Sequence, residues 1–232
     1  MCKKIHVVSD ILQANDVLSL ELRKEFSRRG IFVINFMGSP GAGKTSILEK
    51  LIRELKDEVK IAVIEGDVYT SKDAERIEQQ RVPVVQINTG GGCHLDSNMI
   101  KESLANLPLE EIELLVIENV GNLVCPASYD LGEDLKMVAL SVTEGDDKPA
   151  KYPAMFQRAN LVIINKIDLI EQTNFSARQA LADINIINPG LETFNVSCRT
   201  GEGIPRLAEH LKERVRKKQA FFKGQDPYQQ AI

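Results

Sequence analysis

Apolar positions recur along this chain in two rhythms. Val8, Ile11, Leu12, Leu18, Leu22 and Phe26 follow a largely helical spacing, which predicts a helix with one buried face over Val8–Arg29. Ser9 is the expected N-cap of that helix and Gly30 its expected stop. Beyond Gly30 short continuous apolar runs take over: Ile31–Met37, Val59–Ile64, Val82–Ile87, Leu114–Glu118, Met137–Val142, Leu161–Asn165 and Thr193–Val196. Amphipathic stretches lie between most of them, at Thr45–Lys56, Ser71–Gln80, Ser97–Leu104, Ser176–Ile184 and Pro205–Gln219. Strands apolar on both faces, separated by amphipathic helices, predict an α/β fold with a mostly parallel sheet flanked by helices. No break in composition divides the chain, so residues 1–232 read as one domain. Residues 1–30 form its N-terminal helical segment, and the polar residues 221–232 are expected to be a loosely ordered tail.

Composition narrows the function classes. Lys+Arg 29 against Asp+Glu 33 gives a net charge of −4, without the basic excess of a general nucleic-acid binder. No apolar run approaches the ~18 residues of a membrane span, and the start lacks the apolar core of a secretory signal. Cys2, Cys93, Cys125 and Cys198 lie far apart with no CxxC pair, which is not a disulfide framework and points to a reducing, cytoplasmic setting.

Gly38-Ser39-Pro40-Gly41-Ala42-Gly43-Lys44-Thr45, followed by Ser46, matches G-x-x-x-x-G-K-[ST] between an expected strand and an expected helix. Glycines let main-chain N–H groups turn in around phosphate oxygens, and the helix N-terminus adds partial positive charge. Lys44 is expected on the β- and γ-phosphates and the Thr45 hydroxyl on Mg²⁺. Asn165-Lys166-Ile167-Asp168 ends a later strand. A carboxylate there accepts from guanine N1–H and its exocyclic amine, a pattern adenine does not offer, and Lys166 can lie across the base. Ser197-Cys198-Arg199-Thr200-Gly201 looks like the element that touches the guanine carbonyl in GTPases, with Cys198 in a packing role.

Acids end two further strands, in Glu65-Gly66-Asp67 and Glu118-Asn119-Val120-Gly121. A parallel sheet brings these ends to the edge where ligands bind, so Asp67 and Glu118 are Mg²⁺ candidates, with helix capping or loop solvation as the bland alternative for each. Gly121 is suited to let an N–H approach a γ-phosphate. The charged stretch Ser141–Lys148 leaves the same edge and is expected to meet the nucleotide or a partner. Cys93-His94 follows Thr89-Gly90-Gly91-Gly92, and Cys125-Pro126 follows the next strand in sequence. Thiolates with an imidazole suit Zn²⁺, Ni²⁺ or Cu⁺, although lone cysteines are more often packing residues. Three ligands do not close a four-ligand site, and a two-fold dimer would double them.

Taken together, NFMGSPGAGKTS, EGDVYTSKDAERI, TGGGCHLD, ENVGNLVCPASYDLGED, SVTEGDDKPAKYP and INKIDL strongly resemble the nickel-handling GTPases of the SIMIBI class, most closely the HypB hydrogenase-maturation family. The resemblance covers nearly the whole chain. It implies a P-loop NTPase fold of the SIMIBI type and a GTP-dependent homodimer that hydrolyses GTP to GDP. It further implies a metallochaperone that carries nickel to the large subunit of [NiFe]-hydrogenase and works with a HypA-like partner. The family's metal residues fall on Cys93, His94 and Cys125, for Ni²⁺ with Zn²⁺ possible at the same site. Its nucleotide residues fall on Gly38–Thr45 and on Asn165, Lys166 and Asp168. The N-terminal CxxCxC motif and histidine-rich tract of some members are missing here: that end offers Cys2, and the histidines are His6, His94 and His210. Competing readings are a UreG-like urease GTPase, against which ENVGN and the separate CH and CP stand, a passive metal-binding protein with vestigial GTPase activity, and a small-molecule kinase.

Overall fold

Each of the seven apolar runs forms a strand. The computed structural model describes residues 7–224. The strands are β1 Phe32–Gly38, β2 Ile61–Asp67, β3 Val84–Asn88, β4 Leu114–Glu118, β5 Leu135–Ser141, β6 Leu161–Asn165 and β7 Glu192–Asn195. They pair in the order β3-β2-β4-β1-β5-β6-β7, and every pairing is parallel. The helices are α1 Val7–Arg29, α2 Lys44–Leu55, α3 Lys72–Glu78, α4 Ser97–Ser103, α5 Lys148–Lys151, α6 Pro153–Arg158, α7 Ala177–Ile187 and α8 Ile204–Phe222.

The packing explains the continuous apolar runs. In β1, Phe32, Ile34 and Phe36 face a core shared with Leu48, Ile52 and Leu211 of α2 and α8. Val33 points the other way, with Leu22 and Phe26 of α1 and Ile100 of α4. A strand covered on both faces has no solvent side and shows no alternation.

Three details differ from the sequence reading. Helix α1 is already formed at Val7, so Ser9 is an interior helical position and not the N-cap. Its stop is as expected: Ile31 N–H reaches Phe26 O at 2.9 Å just past Gly30. Helix α8 continues to Phe222, so the tail does not begin at residue 221. Residues 225–232, Cys2 and His6 lie outside the described residues. Helices α5 and α6 were not expected. Each carries a proline in its first turn, where the missing N–H costs nothing, and prolines inside polar text read as loop.

Candidate nucleotide and metal sites

All strand C-termini open onto one rim, and β1 at the centre delivers the glycine loop to it. Lys44 and Thr45 begin α2, both buried, and no side chain caps that helix. Its first N–H groups are therefore free to meet an anion. Gly43 has φ 92°, and a Cβ there would stand 2.4 Å from Asn165 Nδ2. That amide donates to Ala42 O at 2.9 Å, and Lys166 Nζ donates to Gly41 O at 2.8 Å. The end of β6 thus props the loop from outside.

A cleft of about 490 Å³ runs from this loop to the ends of β2 and β4. Thr45 Oγ1 donates to Glu118 Oε1 at 2.8 Å. Glu118 lies directly opposite Glu65 in the β2–β4 ladder, and the two are 2% and 3% exposed. Ser39 Oγ, Glu65 Oε2 and Glu118 Oε2 are buried without a hydrogen-bond partner among the described residues. Burial, above all, drives both carboxyls upward in pKa, and the charge of Glu118 adds to this at Glu65. Facing each other out of water, both carboxyls hold a proton more tightly than an ordinary carboxyl does. A hydroxyl and two carboxyls with unpartnered oxygens form a hard oxygen donor set, which fits Mg²⁺.

Asp67 lines the same cleft, but its carboxylate is engaged with its own loop. It accepts from Val68 N at 2.5 Å, Tyr69 N at 3.3 Å and Thr70 Oγ1 at 2.8 Å. Burial pushes its pKa up, the bonds from Thr70 and the main chain outweigh it, and the net direction is down. Gly121 packs on the phosphate loop: a Cβ there would stand 3.0 Å from Pro40 N.

Three cleft residues escaped the sequence reading. Glu65 carries a signal in retrospect, as an acid inside the apolar run IAVIEGD. Asp73 and Arg76 of α3 carry none. Arg76 pairs with Glu49 at 2.7 Å and Asp73 at 3.0 Å, and donates to Ser46 Oγ at 3.0 Å.

A second cavity of about 260 Å³ adjoins the loop, lined by Gly43, Lys166, Asp168, Cys198 and Arg199 among others. Asp168 Oδ1 accepts from Ser197 Oγ at 2.6 Å. Ser197 in turn accepts from Thr200 N at 3.1 Å, which fixes the orientation of the acid. Asn165 is turned toward the glycine loop, and its Oδ1 accepts from Lys166 N at 2.8 Å. Cys198 is half-buried against the core, and burial pushes its thiol up to about 11. The stretch after β5 meets this region through Thr143, whose Oγ1 lies 3.4 Å from Lys166 Nζ.

On the same rim, ligand atoms of Cys93, His94 and Cys125 lie within 4.8 Å of one another. Cys93 Sγ is 2.8 Å from Cys125 Sγ and 3.6 Å from His94 Nδ1. The loops that carry them follow strands that are consecutive in sequence but not neighbours in the sheet. Strand β2 stands between β3 and β4, so the Cys93 loop reaches across its end. Thr89 N–H donates to Asp67 O at 2.9 Å on the way. The His94 ring stacks on Tyr129 with centroids 3.8 Å apart, and burial lowers its pKa toward the neutral, ligating form. The Cys93 thiol is raised, chiefly by its hydrogen bond to Cys125, so metal entry must release protons.

The family described as CobW/HypB/UreG, nucleotide-binding domain, matches residues 32–195. The hydrogenase maturation factor HypB of Rhizobium leguminosarum bv. viciae is 52% identical over 200 residues, which cover 86% of this chain and 67% of that one. The probable hydrogenase maturation factor HypB of Methanocaldococcus jannaschii is 43% identical over 212 residues, 91% of this chain and 96% of that one. Among solved structures, HypB from Helicobacter pylori in complex with nickel superposes with a TM-score of 0.84 at 42% identity, covering 88% of this chain and 96% of that one. With its seven-stranded parallel sheet and glycine phosphate loop, the chain belongs to the CobW/HypB/UreG family, among the HypB hydrogenase maturation factors.

Proposed function

We propose that this chain is a cytoplasmic GTPase that spends GTP hydrolysis to carry nickel to a [NiFe]-hydrogenase large subunit. The observation that carries the reading is the path from Glu118 at the phosphate cleft to Cys125, which faces Cys93, within one short segment.

In this reading Lys44 and the N–H groups at the start of α2 hold the β- and γ-phosphates. They meet negative charge as it develops in transfer to water. Thr45 and Glu118 would hold Mg²⁺ with Glu65 beside them, and Asp67, tied to its own loop, would reach it through water; the ion would neutralise phosphate charge. Ser39 and the Gly121 N–H complete the cradle. Asp168 reads guanine N1–H and its amine, with Lys166, Ser197 and Cys198 around the base. Nickel is the cargo, held by Cys93, Cys125 and His94, and Zn²⁺ competes for the same donors. Two chains supply four thiolates to one ion on a two-fold axis, which makes the loaded form a GTP-dependent homodimer. A HypA-like metallochaperone is the exchange partner. A second reading is added by Helicobacter pylori, where a relative 43% identical over 92% of this chain is named a hydrogenase/urease maturation factor. Delivery to urease is its counterpart here.

The test is phosphate release with GTP and ATP, together with nickel titration of the reduced protein in each nucleotide state. GTP-specific turnover near ~10⁻³–10⁻⁴ s⁻¹ is expected for a GTPase without a supplied catalytic group. Asp168→Asn shifts preference from guanine to xanthine nucleotides, because donor and acceptor exchange places. Retained GTP preference in that variant rejects the base-reading role, and unchanged nickel binding in Cys125→Ala rejects the metal site.

A further inference from the structure

The candidate nickel and nucleotide donors stand on separate loops, and one residue bonds to both, by its side chain on the metal side and its main chain on the phosphate side. Asn122 lies one residue past Gly121, and its main-chain N–H donates to Gly38 O at 3.0 Å, where β1 enters the phosphate loop. Its side-chain Nδ2 donates to the carbonyl of Cys93 at 3.1 Å. Its Oδ1 accepts from Val124 N at 2.9 Å, the N–H of the residue just before Cys125. The side-chain amide therefore ties the two cysteine segments to each other, and the main-chain N–H of the same residue ties them to the phosphate loop.

The asparagine three residues earlier is bonded in the opposite manner. Asn119 is buried, takes Leu95 N at 3.1 Å and Val120 N at 3.0 Å, and donates to Asn35 Oδ1 at 3.1 Å. Asn35 in turn reaches Glu133, also in the core. The root of the Cys93 loop is thus pinned to the sheet through Asn119. Its tip is held at the surface by the Asn122 side chain. Gly121 lies against Pro40 with no room for a side chain, so a shift of the phosphate loop displaces the segment at Asn122 and not at Asn119.

We propose that the Asn122 side chain is the positioning residue that makes nickel affinity at Cys93 and Cys125 depend on the bound nucleotide. This rests on the nickel-carrier reading above and names the group that couples its two sites. When the loop closes on a γ-phosphate, Asn122 moves with Gly38 and draws the Cys93 carbonyl and the Val124 peptide with it, which resets the separation of the two sulfurs. With the amide gone, the loop still closes, but the cysteines no longer follow.

The experiment measures nickel affinity of the reduced, full-length chain with GDP and with a slowly hydrolysed GTP analogue, in wild type, Asn122→Ala and Asn122→Asp. Nucleotide affinity and GTP turnover are read in the same samples. Wild type is expected to show a ratio between the two states in the ~5–150-fold range of ordinary allosteric coupling. In Asn122→Ala the ratio falls to within about twofold of unity, while turnover and guanine affinity hold, because the N–H to Gly38 remains. Asn122→Asp keeps the acceptor for Val124 but loses the donor to Cys93, and is expected to behave like the alanine variant. A wild-type ratio surviving in Asn122→Ala overturns the assignment and leaves the nickel-carrier reading intact. A wild-type ratio in Asn122→Asp alone overturns the bridge to Cys93. Equal loss of nickel in both nucleotide states of Asn122→Ala makes the residue part of the site and overturns its coupling role. A ratio of unity in wild type overturns the coupling itself, and the inference with it.

Discussion

Glu65 and Glu118 stand opposite each other in the sheet, each with one oxygen unpartnered. Their pKa values are raised from the ordinary 4.5, so above that pH the folded protein keeps a proton the unfolded chain has released. Stability from this source is complete below pH 4.5 and falls as pH rises toward the folded pKa values. Urea midpoints of Mg²⁺-free protein from pH 6 to 9 are therefore expected to decline. Glu65→Gln flattens that decline, since the amide hydrogen-bonds without a charge to lose. An equal slope in the variant would show that the pair is not the source. Cys198 offers a second check at this scale. With its thiol pushed up to about 11, only about 0.1% is thiolate at pH 8. Iodoacetamide followed by peptide mass spectrometry is expected to modify it far more slowly than Cys93 or Cys125, and faster only as the pH approaches 11.

Among elements, the phosphate loop is the most constrained. Gly43→Ala demands a left-handed backbone from alanine and drives its methyl into Asn165, which props the loop through Ala42. Loss of guanine nucleotide binding with a near-native circular dichroism spectrum is the expected outcome, checked by fluorescent-nucleotide titration. This loop was readable from its glycines because backbone geometry demands them wherever phosphate is cradled. The strands were readable because burial on both faces leaves an unbroken apolar run. The Glu65–Glu118 pair was not, since it depends on which strands become neighbours, and β2 joins β4 across a gap of many residues in sequence. The crossing of the Cys93 loop over the end of β2 was not legible for the same reason: sequence order gives β3 before β4, and only pairing puts β2 between them. Asp73 and Arg76 were missed because a charged residue on a short amphipathic helix looks like any solvated face until its direction is known.

At the scale of the whole molecule, α1 is bound to the body by more than its apolar stripe. Asn15 Oδ1 accepts from Ser97 N at 2.8 Å and Asn15 Nδ2 donates to Asp130 O at 2.9 Å, joining α1 to the start of α4. Arg23 reaches both oxygens of Asp130 at 2.8 Å and Glu133 O at 2.7 Å. Phe26 is almost fully buried beneath this lattice. Phe26→Ala is expected to cost about 3–5 kcal/mol in urea unfolding, with GTP turnover retained well below the midpoint. A much smaller cost would mean that α1 lifts off as a unit. The parallel sheet has one more consequence, for how the protein can be handled. Every strand begins on the rim opposite the nucleotide and metal loops, and the turns there include Pro108–Glu113 and Asn188–Leu191. None of the candidate nucleotide or metal residues lies on that rim. A handle other than a thiol, since Cys93 and Cys125 would compete for a thiol reagent, placed at exposed Glu111 would tether the chain to a sensor surface or a bead with its working rim facing the liquid. Nucleotide, nickel and partner could then arrive and leave unhindered, one after another, on the same immobilised population.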